Sequence, residues 1–255
     1  MGKESFLSLL IRGMGSLMAW LFVGLATLFF FFPIFFLFLF HFWVDPDRRK
    51  IHGLASVWAK GLIGLSGARV RVFGRENLPR GRPFLLLANH QSYADIPVLY
   101  FLRNHFKWMA DEALFQIPVF GWIMRMAGYV SVRRGDPRKG IKALERAKGW
   151  LGKGVPIFVF PEGTRSHTGA LGRFQTGGFR LAVTTMKPVV PIVVLGTRQF
   201  LPRGGWLIRF GMKIQIHVLP AVTPSSDSAR EVKLLVRKVK AQMAQEYRRH
   251  LRQVR

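Results

Sequence analysis

The sequence predicts an α/β fold, a mostly parallel central sheet flanked by helices, joined to an N-terminal membrane-embedded helical segment. Three observations carry that prediction. Residues 13–44 contain no Asp, Glu, Lys or Arg. Beyond Asp45, short continuous apolar runs alternate with longer amphipathic stretches, as buried strands and their crossover helices do. The chain's 255 residues, 49% of them hydrophobic, are enough for one sizeable core. Three segments follow: residues 1–47 as a membrane helix or helical hairpin, 48–224 as the α/β domain, and 225–255 as a basic amphipathic C-terminal helix.

Residues 28–40 of the first segment read LFFFFPIFFLFLF. A straight helix over residues 13–44, at about 1.5 Å per residue, exceeds a hydrocarbon core of roughly 30 Å. Two arrangements accommodate it: one tilted, kinked span, or a helical hairpin dipping into one leaflet and broken near Pro33. A signal peptide would have a shorter apolar core followed by a small-residue cleavage site, which this sequence lacks. Lys3 and Arg12 precede the run and Arg48, Arg49 and Lys50 follow it. Cations on both flanks leave a spanning orientation open and suit a hairpin with both ends in the cytosol. Trp20, Trp43 and Trp58 suit either the headgroup level or the protein interior.

Within the domain, residues 51–65 read as a helix. Val70, Arg71, Val72 and Phe73 alternate as a strand does, and residues 77–81 form a turn. Residues 84–88 are continuously apolar, the mark of a strand buried on both faces. Asp95, Ile96 and Pro97 open a helix, where proline is tolerated and a carboxylate favoured. Residues 129–132 read as a short strand and 136–151 as an amphipathic helix with Ile141, Leu144, Ala147 and Lys148 near one face. Residues 155–160 and 189–195 are two further apolar strands. In the tail, Ser225, Ser226 and Asp227 offer N-caps to a helix with the stripe Val232, Leu235, Val236, Val239 and Met243. Its other face is crowded with Lys and Arg, so it either docks on the domain or lies on anionic lipid.

Charge narrows the partners. There are 39 Lys and Arg against 13 Asp and Glu, a net charge of +26. Such a balance fits a phosphate-bearing partner, nucleic acid or anionic membrane lipid, or merely a solvated basic surface. The apolar N-terminal segment favours lipid. The cations are scattered and no nucleic-acid motif is present, so a non-catalytic basic membrane-bound protein is the competing class. There is no cysteine. That excludes a disulfide framework, thiolate catalysis and thiolate metal sites.

Two stretches carry candidate chemistry. Asn89, His90, Gln91, Ser92, Tyr93, Ala94 and Asp95 follow a buried strand and precede a helix, where reactive groups of open α/β sheets collect. His90 can take a proton from a hydroxyl if a carboxylate holds its far nitrogen, and Asp95 can curl back to do so. A surface His beside an N-capping Asp gives the same spacing. The second stretch is Phe160, Pro161, Glu162, Gly163, Thr164, Arg165 and Ser166. Gly163 permits close backbone approach to a ligand, and Arg165 can grip phosphate oxygens in two-pronged fashion. Glu162 next to Arg165 suggests an orienting role or a structural pair. No G-x-S-x-G elbow occurs, and neither an H-E-x-x-H motif nor a clustered His and carboxylate set marks a metal site.

The residues Asn89-His90-Gln91-Ser92 with Asp95 resemble the first motif of the 1-acylglycerol-3-phosphate acyltransferases. The run from Phe160 to Ser166 is similar to their third motif. Gly128-Tyr129-Val130-Ser131-Val132-Arg133-Arg134 resembles the intermediate motif, and Val190-Pro191-Ile192-Val193 the fourth. The segment Ile117-Pro118-Val119-Phe120-Gly121-Trp122 also resembles the family. The resemblance covers about residues 50 to 220 and implies a glycerolphosphate acyltransferase-like fold. It implies transfer of a fatty acyl group from acyl-CoA or acyl carrier protein to the sn-2 hydroxyl of a lysophosphatidic acid acceptor, giving phosphatidic acid. His90 and Asp95 take the catalytic roles, and Glu162, Gly163, Thr164, Arg165 and Arg133 bind acceptor phosphate. The thioester serves as co-substrate and no cofactor is expected. The expected location is the inner membrane, with the catalytic domain on the cytosolic side. Two departures stand out. Many relatives have Lys near the position of Asp111 and after the Phe of a G-x-L-x-x-F-K pattern, where this chain has Gln175. Lys107 or Arg173 substitutes for the missing cations, or the acceptor is a different lysolipid such as a lyso-aminolipid.

Overall fold

The computed structural model describes residues 6–133 and 135–251; Lys3 and Arg134 lie outside them. Helix α1 spans Phe6–Leu39 and is followed by the short α2, His41–Val44. Of the two arrangements left open by the sequence, the hairpin broken at Pro33 is not adopted. α1 continues through Pro33 as one helix of 34 residues, about 51 Å long. Nor does it stand away from the body. Ser16 Oγ accepts from Ile208 N at 2.9 Å, Trp20 Nε1 donates to the Trp206 carbonyl at 2.8 Å, and Ile34 is buried against Ile51 and Ile123. The helix therefore lies along the domain with Ser16, Ala19, Phe30 and Ile34 inward. Leu25, Phe29, Phe32 and Phe36 point outward, 55–71% exposed.

The body is a seven-stranded sheet in the order β1-β7-β6-β2-β5-β3-β4. Its strands are β1 Arg69–Phe73, β2 Leu85–Ala88, β3 Lys107–Asp111, β4 Val130–Val132, β5 Ile157–Val159, β6 Val189–Leu195 and β7 Lys213–Val218. Every neighbouring pair is parallel except β6 and β7. The helices on its faces are α3 Arg49–Leu65, α4 Asp95–Leu99, α5 Phe120–Met126, α6 Pro137–Gly152, α7 Gly177–Thr185, α8 Thr197–Phe200 and α9 Ala229–Leu251.

Strand periodicity divides the core. Leu86, Ala88, Phe158, Val190 and Ile192 face α3 and α4, meeting Ala55, Ala59, Val98 and Leu99. Leu85, Leu87, Ile157, Val189 and Val193 face the other way, onto Ala143 and Ala147 of α6, Phe179 of α7, and Leu235 and Val239 of α9. Residues 84–88 read as continuously apolar because β2 is covered on both sides. The stripe of α9 is spent on this second core, so the tail docks on the domain. Asp136 caps α6, its carboxylate accepting from Lys139 N at 3.1 Å, with Pro137 in the first turn.

Candidate active site

The site forms where β2 and β5 end side by side. Both strands are parallel, so the loops that follow them emerge at the same edge of the sheet. The loop after β2 places His90 against Asp95 at the start of α4, with Nδ1 to Oδ2 at 2.8 Å. Asp95 is fully buried. The same Oδ2 accepts from Gln91 N at 2.7 Å and Ser92 N at 2.9 Å, which fixes the carboxylate before any substrate arrives. Asn89 ties the loop to β6 through a reciprocal pair, Nδ2 to the Val194 carbonyl at 2.9 Å and Val194 N to Oδ1 at 2.7 Å. Ser92 Oγ donates to the Leu201 carbonyl at 2.7 Å. With Nδ1 committed to Asp95, Nε2 is the nitrogen left for a reacting group. A histidine held in this way can take a proton from an alcohol and return it to a leaving group.

The loop after β5 supplies the floor. The Phe160 ring stacks on His90, centroids 3.9 Å apart and 14° from parallel. Glu162 Oε1 accepts from His90 N at 3.0 Å and Oε2 from Gly172 N at 2.8 Å. Its burial pushes the carboxyl above its ordinary value, and the two backbone N–H groups partly oppose that. A Cβ at Gly172 would stand 2.8 Å from Glu162 Oε2, so a larger residue there would push the carboxylate oxygen out of its present position. Gly163 turns with φ +68°, in the left-handed region. Ser166 N donates to the His90 carbonyl at 2.7 Å, completing the seam between the loops.

His90 opens onto a cavity of about 740 Å³. Trp108, Tyr100 and Tyr129 line it, as do Phe30 and Ile34 of α1. Gly163, Thr164, Gln175 and Arg180 line it as well. Its lining joins the imidazole, Arg180 and the carboxylates of Asp111 and Glu162 to apolar side chains that include Phe30 and Ile34 of the N-terminal helix.

A family description, Acyltransferase, matches residues 69–195. The 1-acyl-sn-glycerol-3-phosphate acyltransferase of Pseudomonas aeruginosa is 30% identical over 204 residues, 77% of each chain. This chain belongs to the 1-acyl-sn-glycerol-3-phosphate acyltransferase family. A chloroplastic family member of Arabidopsis thaliana is 41% identical over 177 residues, 68% of this chain and 49% of that one. The chain thus spans about half the length of that plant relative. The solved 1-acyl-sn-glycerophosphate acyltransferase of Thermotoga maritima superimposes with a TM-score of 0.67 at 29% identity, covering 89% of this chain and 95% of that one.

In this acyltransferase-family chain the expected site residues separate into three groups. His90, Asp95, Glu162, Gly163 and Thr164 come together around the mouth. Glu162, expected to bind acceptor phosphate, has each carboxylate oxygen engaged by a backbone N–H and braces the two loops instead. Arg165 stands beside the mouth with its guanidinium 3.6 Å over the Tyr93 ring. Arg133 and Lys107 are not brought to it. Arg133 is exposed and lies 3.6 Å from Glu112. Lys107 begins β3, whereas the site is at the strands' far ends. It is fully buried, donates to the Ala127 carbonyl at 2.9 Å and sits 4.6 Å over the Trp150 ring. Burial, reinforced by Arg48, lowers its pKa to about 7. It therefore cannot substitute for the cation missing at Asp111, which itself lines the cavity. Arg180 was not singled out from the sequence because it sits in no motif; only the packing of α7 beside β5 turns it toward the mouth.

Proposed function

We propose that the chain transfers a fatty acyl group from a thioester, acyl-CoA or acyl carrier protein, to the sn-2 hydroxyl of 1-acylglycerol 3-phosphate, giving phosphatidic acid. The reading is carried by one observation: an Asp-held imidazole opening onto a cavity that is also lined by the long apolar N-terminal helix. The plant and Pseudomonas relatives, both 1-acyl-sn-glycerol-3-phosphate acyltransferases, support the same acceptor.

His90 Nε2 takes the proton of the acceptor hydroxyl as its oxygen attacks the thioester carbonyl. Asp95 stabilises the imidazolium that forms. The tetrahedral adduct collapses with loss of the C–S bond, and the departing sulfur takes the proton back from His90. No residue becomes acylated. Gly163, Thr164 and Arg180 hold the acceptor phosphate, with Arg165 at the rim. The acyl chain lies in the apolar part of the cavity. α1 associates with the cytosolic face of the membrane, where scattered cations meet anionic headgroups. Residues 48–224 form the catalytic body, with the tail from 225 packed onto it.

His90→Ala should lower kcat by at least about 10²-fold, the scale of general-base catalysis, with the melting temperature unchanged. Near-normal turnover in purified His90→Ala protein would remove the mechanism. A panel of acceptors tests the substrate. Asp111 and Gln175 at the cavity wall make a lyso-aminolipid the informative competitor, and preference for it over lysophosphatidic acid would replace the acceptor while leaving the chemistry.

A further inference from the structure

Where α9 packs against the sheet, β7 and α9 bring three metal-ligating side chains together. His217 Nδ1 lies 3.0 Å from Glu246 Oε1, and His250 Nε2 lies 2.9 Å from the same oxygen. The three ligand atoms lie within 4.8 Å of one another. Glu246 and His250 are one helical turn apart on α9, hence on one face. His217 is held from both sides: Phe73 of β1 stacks on its ring with centroids 4.9 Å apart, and its Nε2 lies 3.0 Å from Gln215 Oε1.

A doubly protonated ring would donate to both Gln215 and Glu246; a neutral His217, with Gln215 Oε1 accepting, carries its proton on Nε2. Its Nδ1 lone pair then faces a carboxylate oxygen, one acceptor against another. A divalent cation converts this contact into two coordinate bonds. Tetrahedral ligands at about 2.1 Å from Zn²⁺ stand about 3.4 Å apart; the two contacts to Glu246 are 3.0 and 2.9 Å and the three atoms lie within 4.8 Å of one another, so small side-chain shifts close the set. Gln215 would then be the outer partner that orients a metal-bound imidazole.

We propose that His217, Glu246 and His250 form a Zn²⁺ site that clamps α9 to β7. Two imidazoles and one carboxylate suit Zn²⁺ rather than Mg²⁺ or Ca²⁺, which prefer all-oxygen sets. The clamp has a path to the active site. Tyr247, next to Glu246, accepts from Gln91 Nε2 at 2.6 Å and donates to the Gly169 carbonyl. Gln91 adjoins His90, and Gly169 belongs to the loop braced by Glu162. A metal on the helix therefore steadies both loops from behind. Arg249 beside His217 opposes a cation, so affinity rests on the ligand bonds rather than on the local field.

The test uses untagged full-length protein in detergent, stripped with a chelator and equilibrated with Zn²⁺. Mass spectrometry reads metal content, and melting with and without Zn²⁺ reads linkage. Wild type should take up roughly one equivalent and melt at a higher temperature when loaded. His250→Ala and Glu246→Gln should lose both effects, and Glu246→Gln keeps the side-chain volume should the alanine variant fold poorly. Gln215→Leu should bind about 10–100-fold more weakly. Co²⁺ added to stripped wild type should give d–d absorption bands that Glu246→Gln lacks. Uptake by wild type below about a tenth of an equivalent would mean that a protonated His217 satisfies the geometry, and the metal site is then refuted. Equal uptake by wild type and the ligand variants refutes it too. Neither outcome depends on the acyl-transfer assignment.

Discussion

At the residue scale, the site depends on carboxylates that do different work. Asp95 is buried with one oxygen shared between an imidazole and two backbone N–H groups, which is an orienting role. Glu162 joins two loops through their main chains. Glu162→Gln should separate bracing from charge: the amide oxygen keeps one N–H bond, while its NH₂ confronts the other donor. Leaving a buried N–H unsatisfied costs about 1–3 kcal/mol. We expect a lower melting temperature and a reduced kcat together, because the His90 loop shifts with the brace. A variant with wild-type melting and turnover would show that the loops stand without it. Lys107 supplies a pH signature. Its folded pKa, about 7, lies below the ordinary lysine value. Between those two values the unfolded chain binds more protons than the folded one, so stability rises with pH there, by at most about 1.4 kcal/mol per unit. Below pH 7 this contribution levels off. Denaturation at pH 7 and 9 should show that rise in wild type and a flatter profile in Lys107→Met; identical slopes would mean the ammonium is better solvated than its burial indicates.

At the element scale, α9 acts as a strut. Its apolar stripe faces the sheet, and Tyr247 carries the contact onward to Gln91 and Gly169. Removing the hydroxyl in Tyr247→Phe leaves the packing and the direct bond from Gln91 Nε2 to the Gly169 carbonyl at 2.7 Å, but deletes the two bonds that tie both groups to α9. We expect kcat to fall several-fold, roughly the effect of about 1 kcal/mol in one hydrogen bond, with little change in KM and in melting temperature. A drop confined to melting temperature would make Tyr247 purely structural. This link could not be read from the sequence, since Gln91 and Tyr247 are 156 positions apart. What was legible is what is local. The strand over 84–88, the Asp95 turn and the α6 helix each follow from neighbouring residue types. β3 and β7 were missed for physical reasons. β3 begins on a buried lysine and ends on an aspartate, which hides its apolar character. β7 alternates in Ile214 and Ile216 but follows a Gly- and Arg-rich loop with no strand signal of its own. The His217 cluster was invisible because one ligand comes from β7 and two from α9. Lys107 misled because sequence distance to Asp111 said nothing about direction; on β3 the two residues sit at opposite ends of the strand.

At the scale of the whole molecule, the question is how a +26 chain with a 34-residue apolar helix sits on a bilayer. α1 touches the body from Ser16 to Ile34, and polar surface beside it would be dragged into hydrocarbon if the helix crossed the membrane upright. Lying in the leaflet plane avoids that cost. The outward residues Leu25, Phe29, Phe32 and Phe36 then enter the acyl region, each contributing about 1.5–3 kcal/mol. Phe30 and Ile34 on the inward face of the same helix line the cavity, so α1 separates the cavity from that outward apolar face. Two measurements test this arrangement. Phe29→Glu with Phe32→Glu should release most of the protein from membranes, since a charge costs about 2.5–3.5 kcal/mol near the centre of an inserted helix. Labels at the N-terminus and on α9 should be reachable from the same side of sealed vesicles. Labels reachable only from opposite sides would establish a true span, and the body would then have to detach from part of α1 to allow it.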